Sequence, residues 1–290
     1  MWFIFALVTA LAWGGADLFY KKGTDPKDKF SHLKIVVMVG LVMGIHGTFY
    51  MLLKGIQFDP MDMLLYLPVS ALYILSMAIG YIGLRYLELS IASPVQNSSG
   101  AITTILLFIF FTHSLSALEI ISIIIITLGV IGLAVFEKQM EKQVLQANPK
   151  TIDTKYTIGF MAIIFPILYA LIDGLGTFAD AVYLDELSLI GEDAALLAYE
   201  FTFFICAVVA FVYLKAIKKV PFNIFKERDK TSAAILETIG QFFYVFAMSS
   251  NAIIAAPIIA SYSIFSVLLS RIFLKEKLTK KQYAVIIIVI

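Results

Sequence analysis

Long apolar runs separated by short polar connectors organise this chain from end to end. Runs near 2–20, 32–53, 63–87, 91–112, 117–136, 157–182, 194–214, 232–250 and 253–274 are each long and apolar enough to cross a bilayer, which takes roughly 20 residues for about 30 Å of hydrocarbon. A tenth run begins near Gln282 and reaches Ile290. At about 1.5 Å per residue it covers about half the bilayer, so this helix is expected to be truncated. The longest polar stretch, Glu137 to Tyr156, holds an Asn148-Pro149 breaker and divides five helices from five. The pattern predicts an all-α polytopic membrane protein with ten transmembrane helices. Its organisation is a first unit over 1–136, a linker over 137–156 and a second unit over 157–290.

The two units repeat each other. Leu89-Ser90-Ile91-Ala92-Ser93-Pro94 reappears as Ala252-Ile253-Ile254-Ala255-Ala256-Pro257, and the same offset carries His113-Ser114-Leu115-Ser116 onto Glu276-Lys277-Leu278-Thr279. Charge tests how the units are inserted. Basic residues gather in the loops after the first, third, fifth, seventh and ninth spans, among them Lys21, Lys22, Lys138, Lys142, Lys218, Lys219, Lys280 and Lys281, whereas the opposite side has Lys54 alone. The positive-inside rule makes the basic loops cytoplasmic and places both termini outside. Corresponding loops of the two units carry opposite charge: Lys21 and Lys22 follow the first span, Asp185, Glu186, Glu192 and Asp193 the sixth. Such a reversal is what two inverted five-helix repeats require, and inverted repeats are a transporter architecture.

Composition agrees with a membrane protein. The 290 residues are 60% hydrophobic and 15% charged, against about 45–50% and 25% in soluble domains. A net charge of +1 gives no basis for nucleic-acid binding. The single cysteine, Cys206, supplies neither a disulfide framework nor a metal set of the usual Cys/His kind. Residues 2–13 lack a preceding basic flank and a following cleavage site, so they read as the first membrane helix and not a signal peptide.

Three stretches resemble the EamA-like transporters of the drug/metabolite transporter superfamily. Trp13-Gly14 lies towards the cytoplasmic end of the first helix. Leu84 to Pro94 resembles the family's connection between helices three and four. Glu276-Lys277-Leu278-Thr279-Lys280-Lys281-Gln282 resembles its motif between helices nine and ten. The resemblance implies ten helices in two inverted repeats and transport of small metabolites, often export of amino acids or related compounds. Two positions depart from the family pattern: His113 stands where a glutamate is expected, and Asp173-Gly174 replaces the second Trp-Gly pair.

Ionisable groups at membrane depth cost at least about 2.5–3.5 kcal/mol each, so they are functional candidates by default. Asp173 is the deepest, with Tyr169, Thr177 and Asp180 at helical spacing on its face. It reads as a cavity-lining acid for an amine or a proton, or as a structural carboxylate bonded to a neighbouring helix. Asp17 lies on a stripe with Thr9 and Trp13, where either pairing with Lys21 or a site role fits. Glu237, Gln241, Tyr244 and Met248 form a stripe on span eight, and Glu237 is near enough to the cytoplasmic edge to be solvated or lysine-paired. Glu200 lies in the outer third of span seven and reads the same way. His46, beside Gly40, Gly44 and Gly47, is expected to serve helix packing before proton relay. Asn97-Ser98-Ser99 and Ser261-Tyr262-Ser263 follow Pro94 and Pro257, which are expected to open their helices; both triplets would face the bundle interior.

No catalytic constellation and no cofactor motif occurs, so the expectation is a transporter and not an enzyme. Its expected partners are a small-molecule substrate such as an amino acid or related amine, with protons as candidate coupling ions, and the lipid bilayer of the cell membrane. A lipid-linked sugar or lipid translocator, and a non-transporting scaffold or receptor, are the alternatives.

Overall fold

The computed structural model describes residues 1–25, 27–112, 115–129 and 164–276, with the isolated positions 132, 280, 283 and 284. His113, the Glu137–Tyr156 linker and the tenth run from Gln282 lie outside or largely outside these residues. Among the described residues the chain is helical without strands. In chain order the helices are α1 (Trp2–Gly23), α2 (Ser31–Lys54), α3 (Pro60–Leu65), α4 (Leu67–Gly83), α5 (Leu89–Asn97) and α6 (Ser99–Phe110). Then come α7 (Ala117–Gly129), α8 (Ile164–Ala181), α9 (Glu192–Val212), α10 (Arg228–Ala260) and α11 (Tyr262–Leu269). Single π-type turns continue α8, α9 and α11.

Five of these helical stretches are long and apolar enough to span a membrane, and the last, Arg228–Leu274, runs for 47 residues. That is about twice a bilayer crossing. It divides at Asn251, whose φ of −169° and ψ of 75° leave the helical region. Ser249 before the break bonds Glu192, while Ser266 and Phe273 after it return to Asp17 and Lys22, so the chain reverses there. Large apolar side chains such as Phe3, Leu11, Phe49, Phe110, Leu171 and Val209 stay exposed on the outside of the bundle. A surface of that kind belongs in lipid.

Contacts define two ends. Where α1 starts, Phe5 packs on Phe246, and near it Asp193, Glu192 and Asp185 meet Tyr50, Ser249 and Ala252; where α1 ends, Lys22 meets Phe273, and Lys34 meets Asp28 at 2.7 Å. Close backbone approach holds the bundle together, as small residues permit in membranes. Gly40 and Gly44 press against Phe203 and Phe204 of α9, so the Gly40-x-x-x-Gly44 face does serve packing. A Cβ on Gly14 would lie 2.7 Å from Phe265 and 3.3 Å from the Tyr262 carbonyl; one on Gly174 would lie 2.9 Å from Ile102 and 3.2 Å from the Ser99 carbonyl.

Pro94 and Pro257 do not open their helices. Pro94 lies inside α5 and Pro257 inside α10. The helices begin earlier because carboxylates from distant segments satisfy their first amides. Glu276 accepts from the backbone N–H of Leu89 (3.0 Å) and Ser90 (2.9 Å), and Asp185 accepts from that of Ala252 (2.8 Å). The interruptions fall just past the prolines. Ser98 and Ser261 each turn the chain with ψ near zero, −9° and −4°, and each hydroxyl donates back to a carbonyl, Val95 at 2.6 Å and Ile258 at 2.5 Å.

Candidate functional site

α1, α4, α5, α8 and α10 surround a cavity of about 790 Å³, its mouth included. Its position follows from the interruptions at Ser98 and Ser261. A helix that turns there points Asn97 and Ser99 inward from one segment and Tyr262 from the other. Three carboxylates line the space: Asp17 from α1, Asp173 from α8 and Glu237 from α10. Among the described lining residues none is lysine, arginine or histidine.

Each acid is held by hydroxyls. Asp17 accepts from Ser93 at 2.6 Å and Ser266 at 2.7 Å, so one carboxylate joins α1, α5 and α11. Lys21, a turn away, donates to the carbonyls of Leu84 and Leu87 at 2.7 and 2.5 Å. Asp173 is half-buried; Ser76 donates to it at 3.3 Å, and Ser99 and Tyr169 also bond it. Glu237 is 7% exposed and accepts from Tyr20 at 3.2 Å. α1 lies against α10 and covers its outer side: Trp13 donates to the Glu237 carbonyl at 3.3 Å and Thr9 to that of Gly240 at 3.1 Å. Hydroxyl donors stabilise buried carboxylates that would otherwise be costly.

Tyrosine contacts bridge the two halves of the chain at both ends of the cavity. On the Met1 side Tyr73 and Tyr244 meet hydroxyl to hydroxyl at 2.5 Å, Tyr73 also donates to Thr177 at 3.2 Å, and Tyr66 donates to Asp180. On the Lys21 side Tyr20 bonds Glu237 and packs on Tyr81 with ring centroids 4.6 Å apart. Between them Trp13 stands 5.1 Å from the ring of Tyr244 and 5.8 Å from that of Tyr262.

The EamA-like transporter family model matches residues 1–135. Over those residues the chain is similar to that family. A solved structure described simply as a crystal structure of a protein is similar over 99% of this chain and 94% of its own, with a TM-score of 0.64 and 11% identity. At that identity the likeness is one of fold. No curated protein matches the sequence.

Eight of the ten residues singled out from sequence line the cavity: Trp13, Asp17, Asn97, Asp173, Thr177, Glu237, Gln241 and Tyr244. Ser261 does not; its hydroxyl is turned back on its own helix. Glu200 lies elsewhere too, fully buried against His46, whose Nδ1 meets its two oxygens at 2.8 and 3.0 Å. Sequence reading missed the pairing of these two, and it missed Tyr20, Tyr73, Tyr81, Tyr199 and Gln96 in the lining. A signal was present for part of it: Tyr66, Tyr73, Met77 and Tyr81 recur at helical spacing along one face of span three.

Proposed function

We propose that this protein is a secondary transporter that exports small metabolites such as amino acids or related amines across the cell membrane, by alternating access between two inverted five-helix repeats. The carrying observation is the acid-lined cavity between two sets of tyrosine contacts that both bridge the halves of the chain. Opening one while keeping the other exposes the same site to one side at a time. The repeats extend over 1–136 and 157–290. Supporting this reading, Gly14 packs on Tyr262 and Phe265 as Gly174 packs on Ser99 and Ile102. The offset that carries Pro94 onto Pro257 also carries Ser98 onto Ser261, Ser99 onto Tyr262, Ile102 onto Phe265 and Leu89 onto Ala252.

The end rich in Lys21, Lys34 and Arg228 faces the cytoplasm in this proposal, with the 137–156 linker there and both termini outside. Cysteines placed in the linker should then stay unlabelled by an impermeant reagent in intact cells; ready labelling reverses the orientation. Transport is tested with purified protein in proteoliposomes loaded with a panel of labelled amino acids, amines and sugars. Release of at least one faster than from empty vesicles is expected. Equality with empty vesicles across the panel contradicts the proposal.

A further inference from the structure

We propose that the cavity binds a small organic ammonium cation that carries an uncharged oxygen, an amino alcohol in its simplest form. For transport this rests on the reading above, whereas binding does not depend on it. Three features of the lining converge on such a ligand. The charge is one-sided: Asp17, Asp173 and Glu237 face the space, with no lysine, arginine or histidine among the described lining residues. A ligand carboxylate or phosphate there would be a buried anion among acids without a cation to meet it, which is strongly disfavoured. Within the substrate class proposed above, that favours the related amines over zwitterionic amino acids, and disfavours an anion.

The aromatic rings are the second feature. Trp13, Tyr244 and Tyr262 stand with centroids 5.1 and 5.8 Å from the tryptophan, at interplanar angles of 33° and 72°. Rings set at such angles present both faces and edges to one space, and among aromatic side chains the face of tryptophan attracts alkylammonium groups most strongly. An alkylammonium head also keeps its methyl groups against apolar surface, where a metal ion would lose its water.

The third feature is Gln96. It is 4% exposed and lines the same cavity, and its Nε2 has no acceptor among the described residues. Buried amide donors are rarely left unmade without reason. A hydroxyl or ether oxygen on the ligand would accept from it while the ammonium group meets the acids and rings.

Binding to purified protein in detergent, followed by calorimetry, tests this with ligands of nearly one shape. Choline carries the cation and the hydroxyl; 3,3-dimethylbutan-1-ol replaces the charged nitrogen with carbon; glycine betaine adds a carboxylate; tetramethylammonium drops the oxygen. Choline should bind about tenfold or more tighter than the neutral alcohol and than betaine. Equal or tighter binding of either, or no binding of choline and ethanolamine at millimolar concentration, overturns the proposal. Gln96→Leu should weaken choline several-fold and leave tetramethylammonium unchanged; parallel loss of both overturns the role of Gln96. Export of a neutral or anionic solute by a protein that binds no ammonium ligand would remove the cation and leave transport standing. Ammonium binding without transport of any solute would do the reverse.

Discussion

Asp173 sits among Ser76, Ser99 and Tyr169, a set of hydroxyls that an amide could also satisfy. Asparagine at this position keeps that packing and cannot exchange a proton or carry a charge. Asp173→Asn is therefore expected to lower transport by about tenfold or more and to abolish its dependence on a pH gradient, with folded yield near that of the wild type. Wild-type rates with the same pH dependence would contradict a role for the acid, and loss of folded protein would assign it to structure. Outside the membrane, Asp28 offers a second test. Partial burial pushes its carboxyl up, but hydrogen bonds from Lys34 and the Phe30 amide outweigh this and hold it below the ordinary value of 3.8. A lowered native value contributes stability above the unfolded value and loses it as pH falls through the native one. Asp28→Asn should thus cost under about 1 kcal/mol near neutral pH, since the pair is partly exposed, and the difference in thermal stability should vanish below the ordinary carboxylate range. A constant difference across that range would contradict the assignment. Acids such as Asp17 and Asp173 were legible in sequence because ionisable groups stand out in apolar runs. Tyr169 and Tyr244 were legible through their spacing from acids, whereas Tyr20, Tyr73, Tyr81 and Tyr199 were not, because 14 tyrosines are spread along the chain.

Two helical segments of this bundle begin on carboxylates from distant residues. Glu276 caps the amides of Leu89 and Ser90, and Asp185 caps that of Ala252. Removing a cap typically costs about 0.5–2 kcal/mol, so Glu276→Ala should lower thermal stability by that order. Glu276→Gln, which keeps an acceptor, should recover part of it. Equal losses in both variants would mean that the charge and not the acceptor matters. Apolar length located these elements well, and Gly40 and Gly44 announced their packing face. Helix starts were misread at Pro94 and Pro257 because their caps come from residues far along the chain, which local sequence patterns do not register. The interruption at Ser98 was equally hidden, since a serine bonded to a carbonyl of its own helix looks like any other helical serine.

Across the whole molecule, the alternation of apolar and polar segments and the placement of lysines made membrane insertion legible, and the family match over residues 1–135 agrees with it. The site itself was half legible: sequence named the acids and Trp13, but their convergence depends on tertiary contacts such as Ser93 and Ser266 meeting on one carboxylate. The central claim is that a single cavity is reached in turn from the two faces of the membrane. Ser99 lines that cavity, is 5% exposed and differs from cysteine by one atom. Replacing Cys206, the one native cysteine, with serine leaves Ser99→Cys as the sole thiol. Oriented vesicles of both polarities should then show this thiol modified by an impermeant reagent from either face, with prior reaction at one face blocking the other. Modification from one face alone, in both vesicle preparations, would contradict alternating access.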